Sequence, residues 1–258
     1  MNIDVLCVKN PSAECLPSLK RLWAEAFSDT EEFIDCFFKT AFSPERCLFI
    51  KDEEGPLSVL YWFDAEIGTE RAAYLYGIAT AKRARGKGLC KFLMEKAHKI
   101  LADSGYSVSL LVPAHKSLFA FYERLGYIAC THISEFCASA SGCEAIELKE
   151  ITKGQYALAR RKALPTGSVI QEGASLDFLE AMGRFYQTEG AILFGYVENG
   201  RLICREYIGE LQIAGRILAS LGLESGSFRT AGNANPFCMC CALSENALPP
   251  KYFGLAFD

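Results

Sequence analysis

The chain has 258 residues, half of them apolar and 22% charged, with a formal net charge of −4. That composition describes packed globular structure and excludes a disordered chain, while the acidic balance excludes a broad nucleic-acid footprint. The length suits two domains better than one. Met1 to Asn10 carries Asp4 and no continuous apolar core, and no run approaches about 18 apolar residues, so neither an export signal nor a membrane span is expected and the cytosol is the expected compartment. Twelve cysteines in such a chain read as reduced, small hydrophobes. The densest group, Cys238-Met239-Cys240-Cys241, lacks metal-site spacing and reads as a strand packed on both faces; no metal is expected.

In chain order, the apolar spacing predicts helices over Leu16 to Phe27 and Asp29 to Thr40, the second capped by Asp29 or Thr30. Cys47 to Lys51 and Leu57 to Phe63 form a predicted hairpin around Asp52-Glu53-Glu54-Gly55-Pro56, and Ala72 to Thr80 is a further strand. The pattern then switches to helical at Gly86 and holds to Ala102. Tyr106 to Val112 is a strand, Lys116 to Leu125 a helix, and Tyr127 to Ile133 and Ala145 to Ile151 are strands expected to complete a mixed sheet near residue 148.

Beyond that point helices are predicted at Thr152 to Ala163 and Ala174 to Tyr186. A hairpin turning at Asn199-Gly200 follows, then a helix from about Glu210 to Leu221 and strands near Ser227 and at Phe237 to Leu243. The order of elements repeats that of the first half. The expected fold class is therefore α/β in the α+β mixed-sheet sense, with domains at residues 1–148 and 149–258. The second is expected to be a degenerate copy of the first or an unrelated small α+β unit, walling a site between the domains or mediating a homodimer.

Chemistry concentrates where the strand meets the helix. Gly86 and Gly88 permit backbone conformations closed to other residues, and a helix N-terminus offers unpaired N–H groups to an anion. Lys82, Arg83, Arg85 and Lys87 add positive charge locally in an acidic chain. A Walker loop is excluded because Gly88 stands where Ser or Thr is required, and the dinucleotide fingerprint fails for want of a third glycine.

Arg85-Gly86-Lys87-Gly88-Leu89-Cys90 resembles the Arg/Gln-x-x-Gly-x-Gly/Ala loop of the GNAT superfamily of N-acetyltransferases, with Cys90 in the place of Gly or Ala. Tyr74 to Thr80 looks like that family's fourth strand. Val112-Pro113-Ala114-His115, followed by Phe121-Tyr122-Glu123-Arg124-Leu125-Gly126-Tyr127, is similar to its second motif, with His115 in the usual Asn position. The resemblance covers roughly residues 15 to 150. It implies acetyl-CoA as co-substrate, held by Arg85, Gly86, Lys87, Gly88, Leu89 and Cys90, with backbone groups of Ile78, Ala79 and Thr80 along pantetheine and His115 beside it. It further implies Tyr122 as general acid toward the CoA sulfur, and a small-molecule or peptide amine as acceptor. Leu118, Phe121, Tyr122 and Leu125 also form the stripe of any core-facing helix, a packing role compatible with the acid role and the lesser of the two readings.

Direct aminolysis of a thioester needs an oxyanion donor, for which backbone N–H groups near Ile78 and Ala79 are candidates, and a base. Asp64, Glu66, Glu70, His115 and the terminal carboxylate of Asp258 are all open for that role. Two other functions fit the same loop: a catalytically silent acyl-CoA-binding regulator, and a nucleotide-binding module.

Overall fold

The computed structural model describes residues 6–257, with side chains from Asn10. The elements are β1 (Leu6–Lys9), α1 (Leu16–Ala26), α2 (Glu31–Thr40), β2 (Cys47–Asp52), β3 (Gly55–Ile67), β4 (Glu70–Thr80), α3 (Leu89–Asp103), β5 (Val108–Leu111), α4 (Phe119–Glu123), β6 (Ile128–Ala129) and β7 (His132–Ser139). They continue as β8 (Lys149–Ile151), α5 (Lys153–Ala163), β9 (Val169–Gln171), α6 (Ala174–Met182), β10 (Arg184–Thr188), β11 (Ala191–Glu198), β12 (Arg201–Gly209), α7 (Ala214–Ser220), β13 (Ser225–Ala231), β14 (Asn235–Pro236) and β15 (Met239–Ala242). No helix among the described residues is long and apolar enough to cross a membrane.

Local chemistry explains most boundaries. Thr30 caps α2 by accepting the Phe33 N–H, and Thr152 and Gln155 form a reciprocal capping box on α5. Asn199 and Gly200 both take positive φ, as a two-residue hairpin loop requires, and join β11 to β12. Helix α6 ends at Met182 and not at Tyr186, the predicted end. Gly183 turns the chain into β10, and a Cβ there would lie 2.5 Å from the carbonyl oxygen of Gly195, so only glycine admits the close passage.

Two mixed sheets result. The first runs β1-β2-β3-β4-β5-β15-β6, with β9 also paired to β3; the second runs β14-β7-β13-β12-β11-β10-β8. In the first, the antiparallel meander β2-β3-β4 leads through α3 to β5, parallel to β4. In the second, the meander β10-β11-β12 leads through α7 to β13, parallel to β12. The order repeats as element counting predicts.

The sheets nevertheless do not divide at residue 148. The strand expected over Tyr127 to Ile133 divides: β6 lies in the first sheet, while β7, which begins at His132, pairs with β13 in the second, from Ile133↔Ala231 to Ser139↔Ser225. The outer neighbour of β5 is β15, which pairs with it from Met239↔Leu111 to Ala242↔Val108. The region Ala145 to Ile151 supplies only β8, on the edge of the second sheet. The physical reason is burial: β5 is buried along its whole length and needs an apolar neighbour, which Met239 and Cys240 provide, whereas β7 beyond Ile133 alternates half-exposed and exposed positions. Cys238, Met239 and Cys240 are buried in the strand that the sequence predicts there.

One apolar core spans both halves, from Leu19 and Trp23 through β2–β5 to Phe178, Phe253 and Leu255; a smaller one lies under α7. Within the second half Arg160 of α5 and Glu206 of β12 form a buried pair, Nε to Oε2 at 2.7 Å and Nη2 to Oε1 at 3.0 Å. Tyr156 donates its hydroxyl to the same carboxylate at 2.6 Å, and Arg160 Nη1 donates to the carbonyl of Val169 at 3.0 Å. The Glu206 carboxylate thus accepts three hydrogen bonds, as a buried carboxylate demands.

Candidate active site

The site begins where β4 and β5 part. Their parallel ladder runs only from Ala72↔Val108 to Tyr74↔Leu110, although β4 continues to Thr80. On its other side β4 stays paired to β3, but the register slips between Val59↔Ala79 and Tyr61↔Tyr76, so Gly77 and Ile78 together oppose Leu60. This is a bulge, and Gly77 supplies its positive φ of 58°. A Cβ on Gly77 would lie 2.9 Å from both the Trp23 and Tyr61 rings. The kink is therefore required by packing as well as by backbone conformation. Sequence reasoning passed over Gly77 as a site residue, although a lone glycine inside a strand pattern is a recognised bulge signal.

Just beyond Thr80 a single turn at Lys82–Ala84 leads into the glycine loop. Gly86 and Gly88 have φ of 74° and 77°, and nothing lies within 4 Å of the Cβ position of either. The loop is exposed from Arg85 to Gly88, and Leu89 is buried as the first residue of α3. Helix α3 thus starts three residues after the predicted Gly86, because both glycines are left-handed and Gly88 is its N-cap. The first N–H groups of α3 have no intrahelical acceptor.

The charged residues of the loop divide. Lys87 is exposed, while Arg85 turns back and donates from Nε to the carbonyl oxygen of Thr80 at 3.1 Å, bracing the loop against the end of β4. Arg83 pairs with Asp52 through both terminal nitrogens, at 2.7 and 2.9 Å, which holds the Asp52 carboxyl down to about 2. Cys90 is half-buried, and burial pushes its thiol up to about 11; it packs as a small neutral residue.

A cavity of about 670 Å³ opens from the gap between the two strands. On the strand side it is lined by Tyr74 to Ile78, Leu111 and Val112, with Ala114, Leu118 and Tyr122 beyond. Ala79 is buried outside it, and the Thr80 hydroxyl is engaged with Ser58 at 3.0 Å. Tyr122 is 7% exposed, its phenol held well above its ordinary value by burial, and its hydroxyl has no protein partner among the described residues. The Tyr122 carbonyl takes the N–H groups of Leu125 and Tyr127, which fixes the turn after α4. His115 is exposed, opens the turn before α4 and does not line the cavity, although Ala114 and Leu118 on either side of it do.

The proposed bases separate in the same way. Asp64 is tied to Arg46 at 3.1 Å and bonds Tyr106; Glu66 pairs with Arg161 at 3.0 Å; Glu70 accepts from Ser107. None of the three lines the cavity, and all lie in ion-pair or hydrogen-bond networks at the far end of the β3–β4 hairpin. Asp258 lies outside the described residues. The segment before it enters the site: Phe257 is buried, lines the cavity, and accepts a hydrogen bond at its carbonyl from the Tyr76 hydroxyl at 3.2 Å. The acids that do line the cavity are Asp29 and Glu32, from the α1–α2 junction. Trp23 Nε1 donates to Asp29 Oδ2 at 2.7 Å. Periodicity marks these two residues only as a helix start, so their position in the site shows only in three dimensions.

Residues 8–130 match the family model described as an acetyltransferase (GNAT) domain. The whole chain is similar in fold to a GCN5-related N-acetyltransferase from Anabaena variabilis, with TM-score 0.72 and 13% identity over 93% of this chain and 73% of that one. It is also similar to a probable N-acyltransferase of Enterococcus faecalis, with TM-score 0.69 and 16% identity over 93% and 73%. A putative acetyltransferase of Pyrococcus horikoshii gives TM-score 0.66 and 12% identity over 98% and 95%. No curated protein sequence matches.

Proposed function

We propose that the chain, whose residues 8–130 match the family model of a GNAT acetyltransferase domain, moves an acetyl group from acetyl-CoA to a primary amine by direct aminolysis. The observation that carries this reading is the parting of β4 and β5 after Tyr74↔Leu110, directly beside the open loop at Gly86 and Gly88. A gap between strands exposes a row of backbone groups that a pantetheine amide chain can pair with as an added strand. The loop offers N–H groups and a helix N-terminus to a diphosphate at the end of that row.

Both features fit the co-substrate. Gly86 and Gly88 leave open space where side chains would stand, and Lys87 adds an exposed charge. The N–H of Ile78 at the bulge is the best-placed donor for a developing oxyanion, since Ile78 lines the cavity and Ala79 does not. Tyr122 serves as the acid toward the departing sulfur: its phenol faces the cavity and stays protonated, because burial opposes the phenolate. His115, exposed and outside the cavity lining, makes at most a peripheral contact with the co-substrate.

Release of free thiol from acetyl-CoA in the presence of amines tests the reaction. Acetyl-CoA binding with amine-dependent thiol release is the expected result; binding with no turnover on any amine would mark a silent sensor instead.

A further inference from the structure

The walls of the cavity beyond the strand gap restrict what enters from the acceptor side. Nine of the lining residues are aromatic, and the only charged ones are Asp29, Glu32 and Arg205. Asp29 and Glu32 are exposed at the rim, next to the Trp23 indole, whose far edge touches the Gly77 bulge. Arg205 stands on another wall, with Nη2 donating to the Tyr196 hydroxyl at 2.9 Å. A carboxylate rim and an aromatic interior are therefore separated by about one indole ring.

That arrangement discriminates among amines. A polyamine would bring several cations to a site with two carboxylates and a guanidinium, and cations left unpaired among apolar walls are costly. A sugar amine would bring several hydroxyls to walls whose polar groups are few, and the Tyr76 and Tyr196 hydroxyls among them are already bonded to the Phe257 carbonyl and Arg205. An amine with one cation and an apolar body pays neither cost: ring faces receive the body edge-on or offset, and they attract the ammonium as it passes.

We infer that the acceptor is a compact arylalkylamine, its ammonium drawn in by Asp29 and Glu32 and its ring seated among Trp23, Phe27, Phe33 and Phe194. This rests on the acyltransferase reading above. In the transfer the amine nitrogen bonds to the acyl carbon and the C–S bond breaks. The amine's proton balances the one taken up by the thiolate, so the products are an amide and free CoA. A hydrogen bond from its own backbone N–H and one from the Thr30 hydroxyl hold the Glu32 carboxyl below its ordinary value, so the rim stays negative wherever the amine is cationic.

The test uses the full chain with acetyl-CoA and three probes: 2-phenylethylamine, spermidine and glucosamine. The expected kcat/KM for 2-phenylethylamine is at least about ten-fold above either of the others. Glu32→Gln, at an exposed position, is expected to raise KM for 2-phenylethylamine several-fold while leaving CoA affinity unchanged, with a smaller effect at about 0.5 M salt. Preference for spermidine or glucosamine, or no acetylation of 2-phenylethylamine by protein that binds acetyl-CoA, overturns the acceptor class and leaves the donor reading standing. Failure to bind acetyl-CoA overturns both.

Discussion

At the residue scale, the site separates groups that hold a ligand by backbone from groups that act by charge or proton. Arg85 is bonded to the carbonyl of Thr80, so its first role is to keep the loop in place. Lys87 is free to act through solvent. Arg85→Ala should therefore loosen the loop and weaken CoA binding at all ionic strengths, whereas Lys87→Ala should weaken it only at low salt. Calorimetric titration at two salt concentrations distinguishes them. Tyr122→Phe should lower kcat roughly 10- to 100-fold without changing CoA affinity, the size of one general acid. The Tyr122 phenol is raised above its usual value of about 10, so its proton is retained below that pH and lost only above it. No alkaline fall in kcat from this group is expected below about pH 10; an earlier fall that disappears in Tyr122→Phe would contradict the assignment.

At the element scale, the decisive feature is the bulge that turns β4 away from β5. Gly77 meets two demands there, a positive φ and a Cβ-free contact with Trp23 and Tyr61. Gly77→Val should destabilise the fold by about 2 kcal/mol or more through strain and overpacking. The thermal midpoint should drop and thiol release should be lost; an unchanged midpoint would mean that the bulge relaxes freely. Elements were legible where their signals are local. The Asn199-Gly200 turn, the Thr30 cap and the glycine loop all follow from residues a few positions apart. Helix α3 was read three residues early because apolar spacing alone does not reveal that Gly86 and Gly88 are left-handed. The end of α6 was read four residues late because the contact of Gly183 with Gly195 is not local.

At the scale of the whole molecule, the halves exchange strands, β7 into the second sheet and β15 into the first. No spacing rule signals this, since β5 and β15 are more than a hundred residues apart, and the hydrophobicity of Met239 and Cys240 says that the strand is buried but not beside what. The exchange also carries the last segment into the cavity, so the site draws on both halves although the loop and Tyr122 come from one. The two meanders differ at the matching place: β12 and β13 are paired from Leu202↔Gly226 through to Tyr207↔Thr230, where β4 and β5 have already parted. Arg160 ties the two sheets together, pairing with Glu206 of β12 in the second and donating to Val169 of β9 in the first. Glu206→Gln leaves a buried guanidinium without its counter-charge and should cost about 3–5 kcal/mol, on the order of 10 °C in Tm. Replacing both residues with apolar ones of similar size should recover much of that, and a double mutant as unstable as the single would show that the pair contributes more than mutual neutralisation.

The central claim is that left-handed glycine backbone at the mouth of the β4–β5 gap binds acyl-CoA as the donor. Isothermal titration of CoA into the full chain and into Gly88→Val tests it most directly. One CoA per chain is expected for the unaltered protein, with binding abolished in Gly88→Val while its thermal unfolding remains cooperative, since the position faces open space. CoA binding of equal affinity to both proteins, or no binding to either, would contradict it.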